Sequence, residues 1–172
     1  IYNSYIYFPF LFANPWTTVL ENKKVLVISP FAETIESQYE KRKKLFKNQT
    51  VLPQFDLKTI KAYNVLGGVN PYPNISNWFD ALEDMKRQID ETDFDIALIG
   101  CGAYAFNLAA HVKRKGKKGI TLCGGLQTLF GIYGARHEED FKKFGILNEY
   151  WVRPRSNERP SGFQNVENGA YW

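Results

Sequence analysis

Hydrophobic positions along the chain follow two patterns. Short continuous apolar runs rich in branched residues, at Lys24 to Ile28 and Phe94 to Ile99, read as strands buried on both faces of a parallel sheet. Between and beyond them, apolar residues recur at helical spacing. The clearest unit runs from Asp93 to Gly125. Its strand breaks at Gly100-Cys101-Gly102, and a helix from Ala103 carries Phe106, Ala109, Ala110 and Val112 as its apolar stripe. Lysines from Lys113 to Lys118 complement the negative helix end, Gly116 stops it, and Ile120 to Leu122 forms the next strand, ended by Gly124-Gly125. Parallel strands joined through a helix make a right-handed crossover, so both glycine turns fall at one edge of the sheet. Open α/β sheets hold ligands at that edge.

The same reading extends along the chain. A helix is expected from about Ala32 to Phe46, with Ile35, Tyr39 and Leu45 inward, then a strand from Phe55 to Ala62 nearer the sheet edge. Gly67-Gly68 and Asn70 to Pro73 mark a loop. Asn74 or Ser76 caps a helix from about Asn77 to Asp90, whose buried stripe is Trp78, Phe79, Leu82, Met85 and Ile89. Short helices follow at Leu126 to Ile132 and Glu138 to Phe144, and Trp151 to Trp172 reads as an ordered tail over the C-terminal edge of the strands. Strands alternating with helices predict an α/β, three-layer α-β-α (Rossmann-like) domain with a mainly parallel sheet of about four strands. It occupies residues 23–172, behind an aromatic segment at 1–22.

Aromatic residues make up 16% of the 172-residue chain, enough to supply stacking surfaces for sugars and bases as well as a core. They crowd the first segment, IYNSYIYFPFLFANPW, which Pro9 and Pro15 interrupt and which is too short to span a membrane. This segment is expected to be the remnant of a longer chain and to pack against the rest of it or against a second copy, forming a homo-oligomer. Net charge is +4 with acids interspersed among bases, which suits phosphate-bearing ligands and does not point to nucleic acid. Two cysteines make no disulfide framework, and neither a signal peptide nor a transmembrane run is present, so a cytoplasmic location is expected. The basic run from Lys41 is a solvated helix end or a contact for phosphate or membrane, the latter placing the protein at the inner face.

Candidate chemistry concentrates at the strand ends. In a doubly wound order the first and third strands are neighbours, so the turns at Ser29-Pro30-Phe31 and Gly100 to Tyr104 face each other across a crevice. Helices starting near Ala32 and Ala103 would aim N–H groups into it. Ligand-binding candidates are therefore Ser29, Phe31, Gly100, Gly102, Ala103, Tyr104, Gly124, Gly125, Gln127, Arg136, Arg153 and Arg155, and the tail arginines Arg153, Arg155 and Arg159 are expected to clamp a diphosphate. Glu138 is the one candidate for a catalytic base. Gly100, Gly102 and Ala105 also fit G-x-G-x-x-A, a variant dinucleotide fingerprint, but no acidic residue ends the following strand. Cys101, at a helix start, is conceivable as a nucleophile, although a buried thiol is the plainer reading. His111 and His137 do not make a zinc set, and Asp93-Phe94-Asp95 enters its strand at the opposite edge.

Three runs, KKVLVISPFAETIESQYEKR, LPQFDLKTIKA and FDIALIGCGAYAFNLAAHVKRKGKKGITLCGGLQTLFGIYGAR, resemble bacterial proteins of surface-polysaccharide synthesis. More distantly the chain is similar to GT-D-fold glycosyltransferases. That resemblance implies a nucleotide-sugar donor, a saccharide acceptor and sugar transfer between them. The GT-D pattern also implies a divalent metal held by D-x-E, a motif absent here. A non-catalytic binding module of a polysaccharide-synthesis system, or a dinucleotide-dependent enzyme, stays open as an alternative.

Overall fold

The computed structural model describes residues 4–65 and 71–172, without the side chains of Ser4 and Tyr5. The expected loop glycines Gly67 and Gly68, and Asn70, lie outside the described residues. The centre is a sheet of four parallel strands, β1 (Lys24–Ser29), β2 (Asp56–Lys61), β3 (Ile96–Ile99) and β4 (Lys118–Thr121), in the order β2-β1-β3-β4. Val25 of β1 registers with Ile96 of β3, and Ile28 with Ile99. The chain therefore moves outward from β1 to β2, then crosses back to place β3 on the other side of β1. The switch point falls between β1 and β3.

The two central strands are apolar in every inward position because both of their faces are covered. Val25 and Val27 of β1, with Ile96 and Leu98 of β3, face one core; Leu26 and Ile28, with Ala97 and Ile99, face the other. The second core is closed by α3 (Trp78–Glu91) and α4 (Ala105–Arg114). The first is closed by α1 (Ala32–Glu40), α2 (Arg42–Leu45), α5 (Gly125–Leu129) and α6 (Ala135–Lys143), together with the aromatic segment and the tail. The α/β three-layer arrangement expected from the sequence is thus present. The strand ends differ from expectation by a residue or two, most at β4, which begins at Lys118.

Several local expectations are corrected. The helix from Ala32 breaks at Lys41, whose backbone leaves helical geometry (φ −95°, ψ 9°). The break lets Leu45 reach the core, where it lies so close to Gly131 that a Cβ there would meet it at 2.8 Å. Asn77, not Asn74 or Ser76, caps α3, its side-chain oxygen accepting from the N–H groups of Phe79 and Asp80. The buried face of α3 is Ala81, Leu82, Met85 and Ile89, and Phe79 stands 70% exposed. In α4 the buried face is Ala105, Leu108 and Val112; Phe106 is 75% exposed and Ala110 also faces solvent. Leu82, Met85 and Ile89 of α3 and Val112 of α4 are buried as expected, with Trp78 and Ala109 packed beside them; Phe79, Phe106 and Ala110 are not, and Ala81, Ala105 and Leu108 complete the buried faces.

The aromatic segment packs on this domain's own core. Phe10 stacks on Phe46 at 5.5 Å and meets Phe141 and Trp151 edge-on, and Phe8 meets Phe141 edge-on at 5.7 Å. The tail is equally integrated: Val152 bridges Ile132, and Phe163, Tyr171 and Trp172 join the first core. Among the described residues no helix is long and apolar enough to cross a membrane. The corrected face of α3 has a direct test by urea denaturation. Leu82→Ala, which empties a buried position, should cost about 3 kcal/mol, whereas Phe79→Ala should stay within about 0.5 kcal/mol of the parent.

Candidate functional site

A cleft of about 580 Å³ opens at the C-terminal edge of the strands, over the switch point. Its floor is the turn after β3, Gly100 to Tyr104, beside the end of β4 at Cys123 and Gly124. These two turns are in close contact: a Cβ on Gly100 would meet the Cys123 carbonyl oxygen and the Leu126 side chain, both at 2.8 Å. Gly102 has φ +56° with open space around it, so its missing side chain serves the backbone turn and leaves the approach to the start of α4 clear. The first N–H groups of such a turn have no partner within the helix and carry the positive end of its dipole.

The walls are aromatic. Trp78 and Tyr104, at the starts of α3 and α4, stack face to face at 5.1 Å with 7° between their planes. Tyr63, Asn64 and Val65 follow β2 on the same side. Opposite stand Phe31 and the tail residues Val166, Tyr171 and Trp172, with Phe31 and Trp172 edge to face at 6.4 Å. Trp172 is buried and its indole N–H finds no hydrogen-bond partner, leaving an unsatisfied donor in the wall. Arg136 is the cleft's cation. Its guanidinium sits 4.8 Å over the Tyr171 ring and 3.4 Å from Glu167. No carboxylate lines the cleft among the described residues.

The sequence candidates divide. Phe31, Gly100, Gly102, Ala103, Tyr104, Gly124, Gln127 and Arg136 line the cleft. Gln127 is buried there, its amide donating to the Tyr171 carbonyl at 3.3 Å. Ser29, Gly125, Arg153 and Arg155 are elsewhere. The Ser29 hydroxyl is buried and accepts from the Phe31 N–H at 3.2 Å, shaping the turn. Gly125 is covered by Tyr7, whose Cβ stands 2.7 Å from where a Cβ of Gly125 would be. Arg153 donates to the Trp172 carbonyl at 2.7 Å, pairs with Glu138 and lies over the Tyr133 ring. Arg155 lies 3.9 Å from Glu33, and Arg159 donates to the Pro154 carbonyl. These three arginines hold the tail and do not form the diphosphate clamp expected of them.

Two further expectations fail on electrostatics. At the start of α1 the buried carboxylate of Glu158 already takes an anion's place, accepting from the Thr34 N–H at 3.1 Å and from the Thr34 hydroxyl. Glu138 is no poised base either: Lys142, with Arg153, holds its carboxyl below the usual range. Cys101 is buried, and desolvation pushes its thiol up to about 12, which makes it inert. Asp93 pairs with Lys24 at the far edge, and among the described residues no cluster of His, Cys, Asp and Glu could hold a metal ion. The divalent metal of the GT-D pattern therefore has no fitting ligand set here.

Tyr63, Asn64, Trp78, Val166, Tyr171 and Trp172 were not singled out as ligand contacts from sequence. The available signal was their position: the end of β2 and the first turn of α3 share the edge that carries the Gly100 turn. For the tail residues the signal is coarser: Trp151 to Trp172 is expected over the same edge, with none of these positions singled out. No family model, curated protein or solved structure matches the chain.

The two cysteines give a check on the floor of the cleft. With Cys123 exposed and Cys101 buried, iodoacetamide at about pH 8 should label Cys123 alone, and Cys101 only after unfolding. Peptide mass spectrometry would show it; equal labelling of both thiols would refute the geometry.

Proposed function

We propose that the cleft binds a nucleotide-sugar donor and that the protein is a glycosyltransferase, or its donor-binding half, in polysaccharide biosynthesis. The observation that carries this reading is the pairing, in one cleft, of an open glycine turn before α4 and Arg136 with an aromatic wall that includes the Trp78–Tyr104 stack. Phosphate oxygens suit the first pair, and a base or sugar ring suits the second. The resemblance to polysaccharide-synthesis proteins supports the same class of ligand.

In the proposed reaction an acceptor hydroxyl displaces the nucleoside diphosphate from the anomeric carbon of the donor. Backbone N–H groups at Gly102 and Ala103 and the Arg136 guanidinium stabilise the negative charge that grows on the leaving diphosphate, the Tyr104 N–H being donated to the Cys101 carbonyl. No carboxylate lines the cleft among the described residues, so the described lining offers groups for a donor and its leaving diphosphate and none for the base. The same observation favours, as a second reading, a module that binds the donor or a polysaccharide precursor without turning it over.

A thermal-shift series with UDP, GDP, CDP, dTDP, their sugar conjugates and NAD tests the reading. A ligand at 100 times its Kd should stabilise the fold by about 2.7 kcal/mol, a shift of several degrees. One nucleoside diphosphate should stand out, and Arg136→Gln should weaken it by about tenfold or more. Stabilisation by none of the nucleoside diphosphates, or by NAD alone, would remove the donor site. Where a nucleotide sugar does bind, release of its sugar to an acceptor separates the transferase from the module.

A further inference from the structure

A second surface carries chemistry that the cleft does not use. The run from Lys41 to Lys47 holds five cations, Lys41, Arg42, Lys43, Lys44 and Lys47, and no acidic residue occurs from there until Asp56. The break at Lys41 turns this run away from α1, burying Leu45 and Phe46 while Lys41, Lys43, Lys44 and Lys47 face solvent. None of the five is in an ion pair among the described residues. A helix end whose cations are in no ion pair leaves its field open to the outside.

The aromatic segment is folded against the same run. Phe10 stacks on Phe46, and the Asn48 amide donates to the Ala13 carbonyl at 3.2 Å. Thr18 and Glu21 share a hollow of about 230 Å³ with Arg42, Lys43 and Gln54, in which Gln54 accepts from the Arg42 guanidinium at 2.9 Å. This contact leaves Leu11 43% exposed and Val19 57% exposed on the segment that borders the lysines. Carboxylates stand only at the margin: Glu21 across the hollow, Glu40 just before the run, and Glu149 beside Tyr150, whose ring Lys44 covers at 5.0 Å.

From this juxtaposition we propose that the Lys41–Lys47 run and the adjoining Leu11 and Val19 form a docking surface for an anionic phospholipid bilayer. Uncompensated lysines suit lipid phosphates, and exposed aliphatic side chains beside them suit the boundary between headgroups and acyl chains. A nucleic acid would use the lysines but has no need of Leu11 and Val19. The surface shares no lining residue with the cleft, so the domain could dock and leave the cleft open. Vesicle binding reads this proposal and the nucleotide thermal shift reads the donor site, so each can fail without the other.

Co-sedimentation with vesicles of phosphatidylcholine containing about 30 mol% phosphatidylglycerol, at about 0.1 M salt, is the test. The protein should sediment with these vesicles and not with phosphatidylcholine alone. Lys41→Glu/Lys43→Glu/Lys47→Glu should lower binding by about tenfold or more, and Leu11→Ser/Val19→Ser by several-fold. All five positions are exposed, so native circular dichroism is expected of both variants. Absence of binding to the anionic vesicles, or full binding by the lysine variant, would overturn the proposal. So would unchanged binding by the Leu11/Val19 variant together with equally tight binding of a single-stranded oligonucleotide, which would make the surface a general polyanion site.

Discussion

Burial of β1 and β3 on both faces is the constraint from which the architecture follows. Each strand points alternate branched side chains into two separate cores, so neither can be satisfied by a single layer of helices. Parallel pairing then forces crossovers, and right-handed crossovers leading outward from β1 in both directions split the helices between the two faces. The split leaves a crevice at the C-terminal strand ends between β1 and β3, where the turns diverge. The cleft is a consequence of how the core is buried.

The tail decides what that crevice can do. Glu158 places a buried carboxylate at the start of α1, where a free helix end would otherwise have drawn an anion. One of the two candidate anion sites is thereby closed from within, and the turn before α4 remains. The same tail supplies Val166, Tyr171 and Trp172 to one wall, held down by Arg153 through the Trp172 carbonyl and by the close approach of Ala170 to Gly134. Arginine serves here mainly as a strap for the chain. Among the described residues only Arg136, held between Tyr171 and Glu167, lines the cleft with a cation.

Charge is distributed by the same economy. Eight of the 18 carboxylates stand in ion pairs among the described residues, such as Glu33 with Lys61 and Asp90 with Lys115, each exposed pair contributing little to stability on its own. Glu138, between Lys142 and Arg153, is consumed in this way as well. The cleft is left aromatic, with Arg136 in its described lining paired to Glu167.

Sequence alone determined the layers. Continuous apolar runs at Lys24 and Phe94, glycine turns after them and helical spacing between them can be satisfied by few arrangements, so the parallel sheet and its ligand edge were legible. Glycine and strand-end positions in the cleft followed, because topology fixes where a strand ends. Side-chain faces did not follow to the same precision: the expected stripes held Leu82, Met85, Ile89 and Val112, which are buried, but also Phe79 and Phe106, whose rings face solvent, and they missed Leu108, which fills the core. Periodicity fixes a repeat, and only packing fixes its phase. Least legible were the long-range partners. Glu158 meets Thr34 across 124 residues, and Gly125 is covered by Tyr7. No local pattern encodes such contacts; they exist because two distant segments close over the same core, a fact that belongs to the tertiary structure alone.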